Sequence, residues 1–402
     1  MATTTSYPHV PYGKAVYGEK EINAVNQVLR TSTQMGKNTR EMEARVAALY
    51  DKKYGIMVNS GSSALYLAAE LMDYEAGAEI ITPALTFSTT VAPQVRRGWI
   101  PAFVDVEEGT YNIDANKVEE MITPKTKAMI IPNLIGNLPD WKALREIADK
   151  HGLFVLEDSA DTLGAEIDGK SSGRFTDMST TSFYGSHIIN CAGNGGMLCV
   201  NTEAFYDRGR LLRSWGRSSS LFVESEAIEN RFNVEVDGIP YDAKFVFEEP
   251  GYNIEPSELG AAFGLVQLDD LAYNIDTRTE NFRKMSAFFA QYEEYFILPK
   301  QLPNSRTGWL AFAVTIRDTA PFIRRDLQIF LEKRNIQTRT VFTGNILRQP
   351  GFKNLPSKKA AGGYPEADRV MRGGMLLACH HGLSEVQIAH VMESVSEFVS
   401  QY

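Results

Sequence analysis

Seven short apolar runs, separated by stretches of helical periodicity and mostly ending in small or polar residues, restrict the fold of this chain more than any other feature. They are Gly55 to Val58, Glu79 to Thr82, Ile100 to Val104, Ala128 to Pro132, Leu153 to Glu157, Thr180 to Phe183 and Met197 to Val200. Runs of this kind suit strands covered on both faces, and helices between such strands produce a mostly parallel sheet. The predicted class is therefore α/β, with one broad sheet. Helices are predicted at Glu19 to Arg30, where Ile22, Val25, Val28 and Leu29 share a face, and at Thr39 to Leu49.

A length of 402 residues predicts two domains. The βα rhythm fills residues 1–255, the large domain, apart from an irregular, acidic excursion between Ser218 and Glu249 that reads as functional or interfacial. Helical periodicity returns at Leu259, Ala262, Phe263, Val266 and Leu268, which makes 256–283 a connecting helix. Residues 284–402 read as a smaller α+β domain. It holds a strand at Leu310 to Ile316, a helix at Ala320 to Arg334 and a closing helix with Ile388, Val391, Met392, Val395 and Val399 on one face.

Charge and cysteine use remove several functions. With 41 basic and 50 acidic side chains the net charge is −9, which opposes binding to nucleic acid or to an anionic membrane. No apolar run reaches the roughly 20 residues of a membrane span, and the opening Met1 to Pro8 lacks the order of a signal peptide, so a cytoplasmic protein is expected. Only Cys191, Cys199 and Cys379 occur, and the six histidines are dispersed except for His380 and His381, so no structural metal is expected.

Three segments carry chemistry. Asn59-Ser-Gly-Ser-Ser-Ala-Leu65 follows a strand and opens a helix, so its N–H groups, Ser62 and Ser63 suit a phosphate; a plain helix cap is the alternative. In Leu156-Glu-Asp-Ser-Ala-Asp161, Asp158 stands at the carboxyl end of a strand, where a bound ring with a protonated nitrogen would supply the cation a buried carboxylate needs. Capping of the next helix is equally compatible with it. The third segment runs from Thr180 to Gly196, where a strand ends in hydroxyl residues and His187 precedes a glycine-rich turn. A lone histidine is more often a core residue than a catalyst, and only the surroundings favour the second role here.

The order of these segments, with Thr82-Pro-Ala-Leu-Thr-Phe87, Val104-Asp105, Ser182-Phe183 and Gly251-Tyr-Asn253, resembles the DegT/DnrJ/StrS family of sugar aminotransferase-like proteins that use pyridoxal phosphate. The likeness runs from Tyr12 to the C-terminus. It implies a fold-type I aminotransferase-like architecture with the coenzyme in the large domain. Family members carry a Schiff-base lysine where this chain has His187, and no lysine occurs between Lys170 and Lys244. An imidazole moves protons but does not form that bond. The resemblance then narrows to the histidine-containing 3-dehydratases of nucleotide-linked 4-keto-6-deoxyhexoses, which serve deoxysugar synthesis for lipopolysaccharide O-antigen. Gln337 to Pro350, with Arg339, Phe342, Asn345 and Arg348, is the strongest match. The chain departs from those enzymes at Ile188, where a second histidine is usual, and in a turn one residue longer, Ala192-Gly-Asn-Gly-Gly196.

The resemblance implies pyridoxal 5'-phosphate and pyridoxamine 5'-phosphate held noncovalently, with L-glutamate as amino donor and a nucleotide-diphosphate keto sugar as substrate. His187 is the implied base in loss of the C3 hydroxyl. Asp158 would keep the pyridine nitrogen protonated, Phe87 would stack on the ring, and Ser62, Ser63, Asp161 and Ser182 would complete the site. Asn253 would reach a phosphate across a homodimer. Arg213, Arg217, Arg339 and Arg348 are candidates for the nucleotide diphosphate, although surface arginines are commonly solvated or paired. A branch of these enzymes uses an iron–sulfur cluster, which takes four cysteines, and this chain has too few. The competing readings are a sugar aminotransferase without its lysine and a noncatalytic sugar-nucleotide sensor.

Overall fold

The seven apolar runs form a single seven-stranded sheet. The structure, a computed structural model, describes residues 7–222, 224 and 226–402. Met1–Ser6, part of the segment read for a leader, lies outside the described residues, as do Val223 and Ser225 within the excursion. The strands are β1 (Tyr54–Val58), β2 (Glu79–Pro83), β3 (Ile100–Val104), β4 (Thr126–Pro132), β5 (Phe154–Ser159), β6 (Met178–Ser182) and β7 (Gly196–Val200). Their order is β1-β7-β6-β5-β4-β2-β3, and only β7 runs against its neighbours.

Consecutive strand residues are buried on opposite faces, as continuous apolar runs require. Ile80, Ile130 and Leu156 belong to one apolar cluster, while their neighbours Ile81, Ile131 and Val155 belong to another. The first cluster is shared with α3 (Gly61–Met72), whose Ala64, Leu65, Leu67, Ala68 and Leu71 face the sheet. Helices α1 (Glu19–Arg30) and α2 (Lys37–Leu49) precede the sheet, and α4 (Ser88–Arg96), α5 (Trp141–His151) and α6 (Glu203–Arg213) lie between or after its strands.

The segment expected to be one connecting helix is two. Helix α7 (Glu258–Asp269) packs on α1 and α2, and α8 (Leu271–Phe289) continues six residues past the expected end at 283. Beyond it an antiparallel sheet of order β8-β9-β11-β10 is built from β8 (Phe296–Ile297), β9 (Ala311–Ile316), β10 (Arg339–Thr340) and β11 (Gly374–Ala378). Helices α9 (Arg324–Glu332), α10 (Pro365–Gly373) and α11 (Glu385–Val399) accompany it. Val10 bridges to Ile336, so the N-terminal segment packs on this second unit although it precedes the large sheet in sequence.

The excursion carries a hairpin, Val234–Val236 against Ile239–Tyr241, turning at Asp237 and Gly238. Pro240 lies in the second strand, opposite Glu235. Phe232, Ile239, Tyr241, Phe245 and Phe247 are each about half exposed or more. No helix of the described residues is long and apolar enough to cross a membrane.

Candidate active site

The carboxyl ends of the parallel strands border a cavity of about 400 Å³, lined among others by Ser62, Phe87, Asp158, Asp161, Ser182 and His187. Each side chain arrives there for a local reason. Strand β1 ends at Val58, and Ser60 caps α3 by accepting from the Ser63 N–H at 3.1 Å. The positive end of α3, with Gly61 and Ser62, therefore lies on the cavity wall. Two glycines make this cup possible. A Cβ on Gly61 would stand 2.5 Å from the Ser182 Cβ, and one on Gly196 would stand 2.3 Å from the Ser60 carbonyl group. No side chain fits in either place.

Asp158 is the penultimate residue of β5 and is buried. Its Oδ2 accepts from the Thr90 hydroxyl at 2.7 Å and its Oδ1 from the Ala160 N–H at 3.2 Å. Burial raises its carboxyl above the ordinary range, those two hydrogen bonds oppose the rise, and the Glu157 charge adds to it. No basic side chain of the described residues pairs with it. Asp161 borders the same cavity, and burial pushes it up to about 7 although the Ile135 N–H donates to its Oδ2 at 2.9 Å. Ile135 holds the left-handed backbone conformation (φ 62°), rare for a β-branched residue, and its carbonyl accepts from the Leu310 N–H.

His187 follows β6 in a tight turn, its N–H donating to the Tyr184 carbonyl at 3.0 Å. Its Nδ1 lies 3.2 Å from the Ser182 carbonyl oxygen. A carbonyl only accepts, so Nδ1 carries the hydrogen and Nε2 keeps its lone pair. Burial, and after it the Arg278 charge, lowers the imidazole to about 4, with the Ser182 carbonyl acting in the opposite sense. The ring is neutral at physiological pH. Tyr184 meets it edge-on at 5.7 Å.

A pyridine coenzyme fits these residues. Asp158 is a buried carboxylate in need of a cation, the start of α3 suits a phosphate, and Phe87, 50% exposed, offers a ring face. Phe342 stands edge-on to Phe87 at 5.9 Å and completes that wall. No lysine lines the cavity among the described residues.

The remaining expected residues fall elsewhere. The Ser63 hydroxyl turns from the cavity and donates to Asn59 Oδ1 at 2.6 Å. Arg213, expected to meet a nucleotide, is buried and bound to Glu43 at 2.6 Å and to the Met57 carbonyl at 3.0 Å. A buried cation held by its own anion is not free for a ligand, so Arg213 is structural. Asn345 caps a short 3₁₀ turn and donates to Asp368, and Arg348 pairs with the same carboxylate at 2.5 Å, so both stand outside the cavity. Arg217 lies over the Trp215 ring at 4.0 Å. Arg339 donates to the Thr338 carbonyl at 2.7 Å and lies 5.3 Å from the Tyr12 ring. Asn253 is exposed, bridged to Ser214 and outside the cavity of its own chain.

His380 and His381 follow β11, and neither lines the cavity. Cys191 and Cys199 are buried in one apolar cluster and Cys379 in another. Thr90, Tyr184 and Arg278 have no role in the sequence reading. Only Tyr184, three residues before His187, carried a local signal.

A parallel sheet whose strand ends border a cavity lined by a histidine, with no lysine among the described residues there, defines the class of protein. The chain belongs to the DegT/DnrJ/EryC1/StrS aminotransferase family, whose profile it matches over residues 16–396. It is 32% identical to the dTDP-4-dehydro-2,6-dideoxy-D-glucose 3-dehydratase of Saccharopolyspora spinosa, over 98% of this chain and 87% of that one. It is similar to E. coli GDP-4-keto-6-deoxy-D-mannose-3-dehydratase with bound hydrated PLP, at 26% identity and a TM-score of 0.86, covering 96% of this chain and 99% of that one. A GDP-4-keto-6-deoxymannose-3-dehydratase with a trapped PLP-glutamate geminal diamine gives 26% identity and a TM-score of 0.85 over the same shares.

Proposed function

We propose that this protein is a PLP- and PMP-dependent dehydratase that removes the C3 hydroxyl of a nucleotide-linked 4-keto-6-deoxyhexose, with L-glutamate as amino donor. The observation that carries the reading is His187, whose unprotonated Nε2 stands at the cavity where family members place a lysine. The coenzyme, when bound, supplies an amine for the sugar ketone and a ring that withdraws electrons. The chain's own residues do the rest. Asp158 keeps a proton on the ring nitrogen, Ser62 and Ser182 with the start of α3 hold the phosphate, and Phe87 orients the ring. Nε2 of His187 accepts the proton whose loss drives elimination, and a neutral imidazole is ready for that at ordinary pH. Asp161 lines the same cavity, and burial raises its carboxyl to about 7.

The active unit is a homodimer in which Asn253 serves the partner's phosphate site. The exposed aromatic side chains of the Ser218–Glu249 excursion support this, since an apolar patch of that kind marks an interaction surface. The large domain of residues 1–255 carries the coenzyme, and the reaction takes place in the cytoplasm. Arg217 and Arg339, neither of them held by a carboxylate among the described residues, remain the candidates for the nucleotide diphosphate.

The test is ammonia release from GDP-, CDP- and dTDP-linked 4-keto-6-deoxy sugars in the presence of glutamate, with the product weighed by mass spectrometry. His187→Asn should keep the coenzyme and lose the reaction. Undiminished turnover in that variant, or a stable amino sugar as the wild-type product, would overturn the reading.

A further inference from the structure

Helix α8 sends two side chains, one turn apart, to the loop that bears His187. Asn274 donates to the Ile188 carbonyl at 3.4 Å, and Arg278 donates from Nη2 to the His187 carbonyl at 3.1 Å. Nη1 of Arg278 serves the carbonyls of Trp309 at 3.1 Å and Leu310 at 3.2 Å, where the chain enters β9. Its Nε–H donates to Nδ1 of His381, just past β11, at 3.3 Å. The side chain is fully buried and has no carboxylate partner among the described residues. A buried cation without an anion is costly, and a neutral donor could satisfy one or two of these carbonyls without that cost. The planar guanidinium does what a neutral group cannot: it joins acceptors from three separate segments and places a positive charge at the main chain of His187.

We propose that Arg278 is a positioning residue for the general base, pinning the main chain at His187 to the second domain through Trp309, Leu310 and His381. The inference rests on His187 being that base. The same charge discourages protonation of the imidazole and adds to the effect of burial. Of the other titratable groups nearby, Tyr184 meets the base edge-on from its own loop and Asp158 and Asp161 line the same cavity, while Tyr12 from the N-terminal segment and His381 from the second domain lie by Arg278. His381, itself lowered to about 3 by burial and then by Arg278, stays neutral and able to accept.

The experiment is an NMR titration of the coenzyme-loaded protein with ¹³C-labelled histidine rings, in which the His187 signal is the one missing from His187→Asn. Wild-type His187 should show no midpoint above about pH 5, and in Arg278→Gln, with burial still holding it down, the midpoint should rise by about half a unit. Turnover of Arg278→Gln should fall by roughly 10- to 100-fold, with KM for the sugar changed less than about threefold, because a displaced base costs chemistry rather than binding. Arg278→Lys keeps the charge without the fork, so its midpoint should stay near wild type while kcat still falls. A folded, coenzyme-loaded Arg278→Gln protein with wild-type kcat or an unmoved midpoint overturns the proposal, and so does an Arg278→Lys midpoint displaced as far as that of Arg278→Gln. Should Arg278→Gln not fold, His381→Gln, which perturbs only the Nε contact, must lower kcat in the same sense, and unchanged kcat there overturns the proposal equally. Normal turnover in His187→Asn would instead sink the functional reading itself.

Discussion

Replacing Asp161 with asparagine should make the coenzyme-free protein more stable, and increasingly so as the pH rises. The carboxyl is pushed up to about 7 by burial, with the Asp158 charge adding to the shift, whereas an unfolded chain releases the same proton near pH 3.9. Between those values the native state holds a proton that the unfolded state has lost, so this group's contribution to stability falls as pH rises through the interval. A displacement of about three units at about 1.4 kcal/mol each gives about 4 kcal/mol. Because Asp161 borders a cavity rather than closed packing, water recovers part of this, and about 2 to 4 kcal/mol remains. Asparagine carries no charge and still offers an oxygen to the Ile135 N–H. Urea denaturation of both proteins at about pH 4.5 and about pH 8.5 yields a double difference in which every pH-independent effect of the substitution cancels. The asparagine variant should gain about 1.5 to 3 kcal/mol more at the higher pH, because at about pH 4.5 the unfolded chain has already released most of this proton. A double difference below about 0.5 kcal/mol would refute the electrostatic account of the cavity.

Two further expectations concern the coenzyme directly. Borohydride treatment of the wild-type protein with PLP should leave no reduced adduct on any side chain, whereas His187→Lys should yield a stoichiometric one at residue 187; peptide mass mapping decides, and an adduct on the wild-type chain counts against noncovalent binding. Gly61→Ala should weaken PLP at least tenfold by coenzyme fluorescence while the protein stays folded, because its Cβ would stand 2.5 Å from the Ser182 Cβ and deform the cup. Wild-type affinity in that variant would remove the start of α3 from the phosphate site.

The large sheet was legible because burial on both faces leaves its mark in uninterrupted residues such as Ile130 and Ile131, and all seven runs became strands of one sheet. Asp158 and Ser182 were legible as strand ends in an open α/β sheet, where ligands sit. What depended on distant partners was not. Arg213 reads as a free cation until the fold sets Glu43, 170 residues earlier, against it. Ser62 and Ser63 look equivalent in a string, yet one helical step of 100° turns the second toward Asn59. Arg278 lies in an amphipathic helix among other polar residues, and nothing local separates it from a solvated arginine. Only the tertiary arrangement brings the His187 carbonyl, β9 and His381 around it.

Because β7 returns antiparallel beside β6, the segment between them is moored at both ends, with Ser182 opposite Gly196. The residue at 187 thus hangs from a span whose ends the sheet holds in place, while Phe87, Asp158 and the start of α3 reach the cavity from other stretches of the chain. A change of side chain at 187 therefore alters what the cavity can do chemically at a point the flanking strands hold by their own pairing.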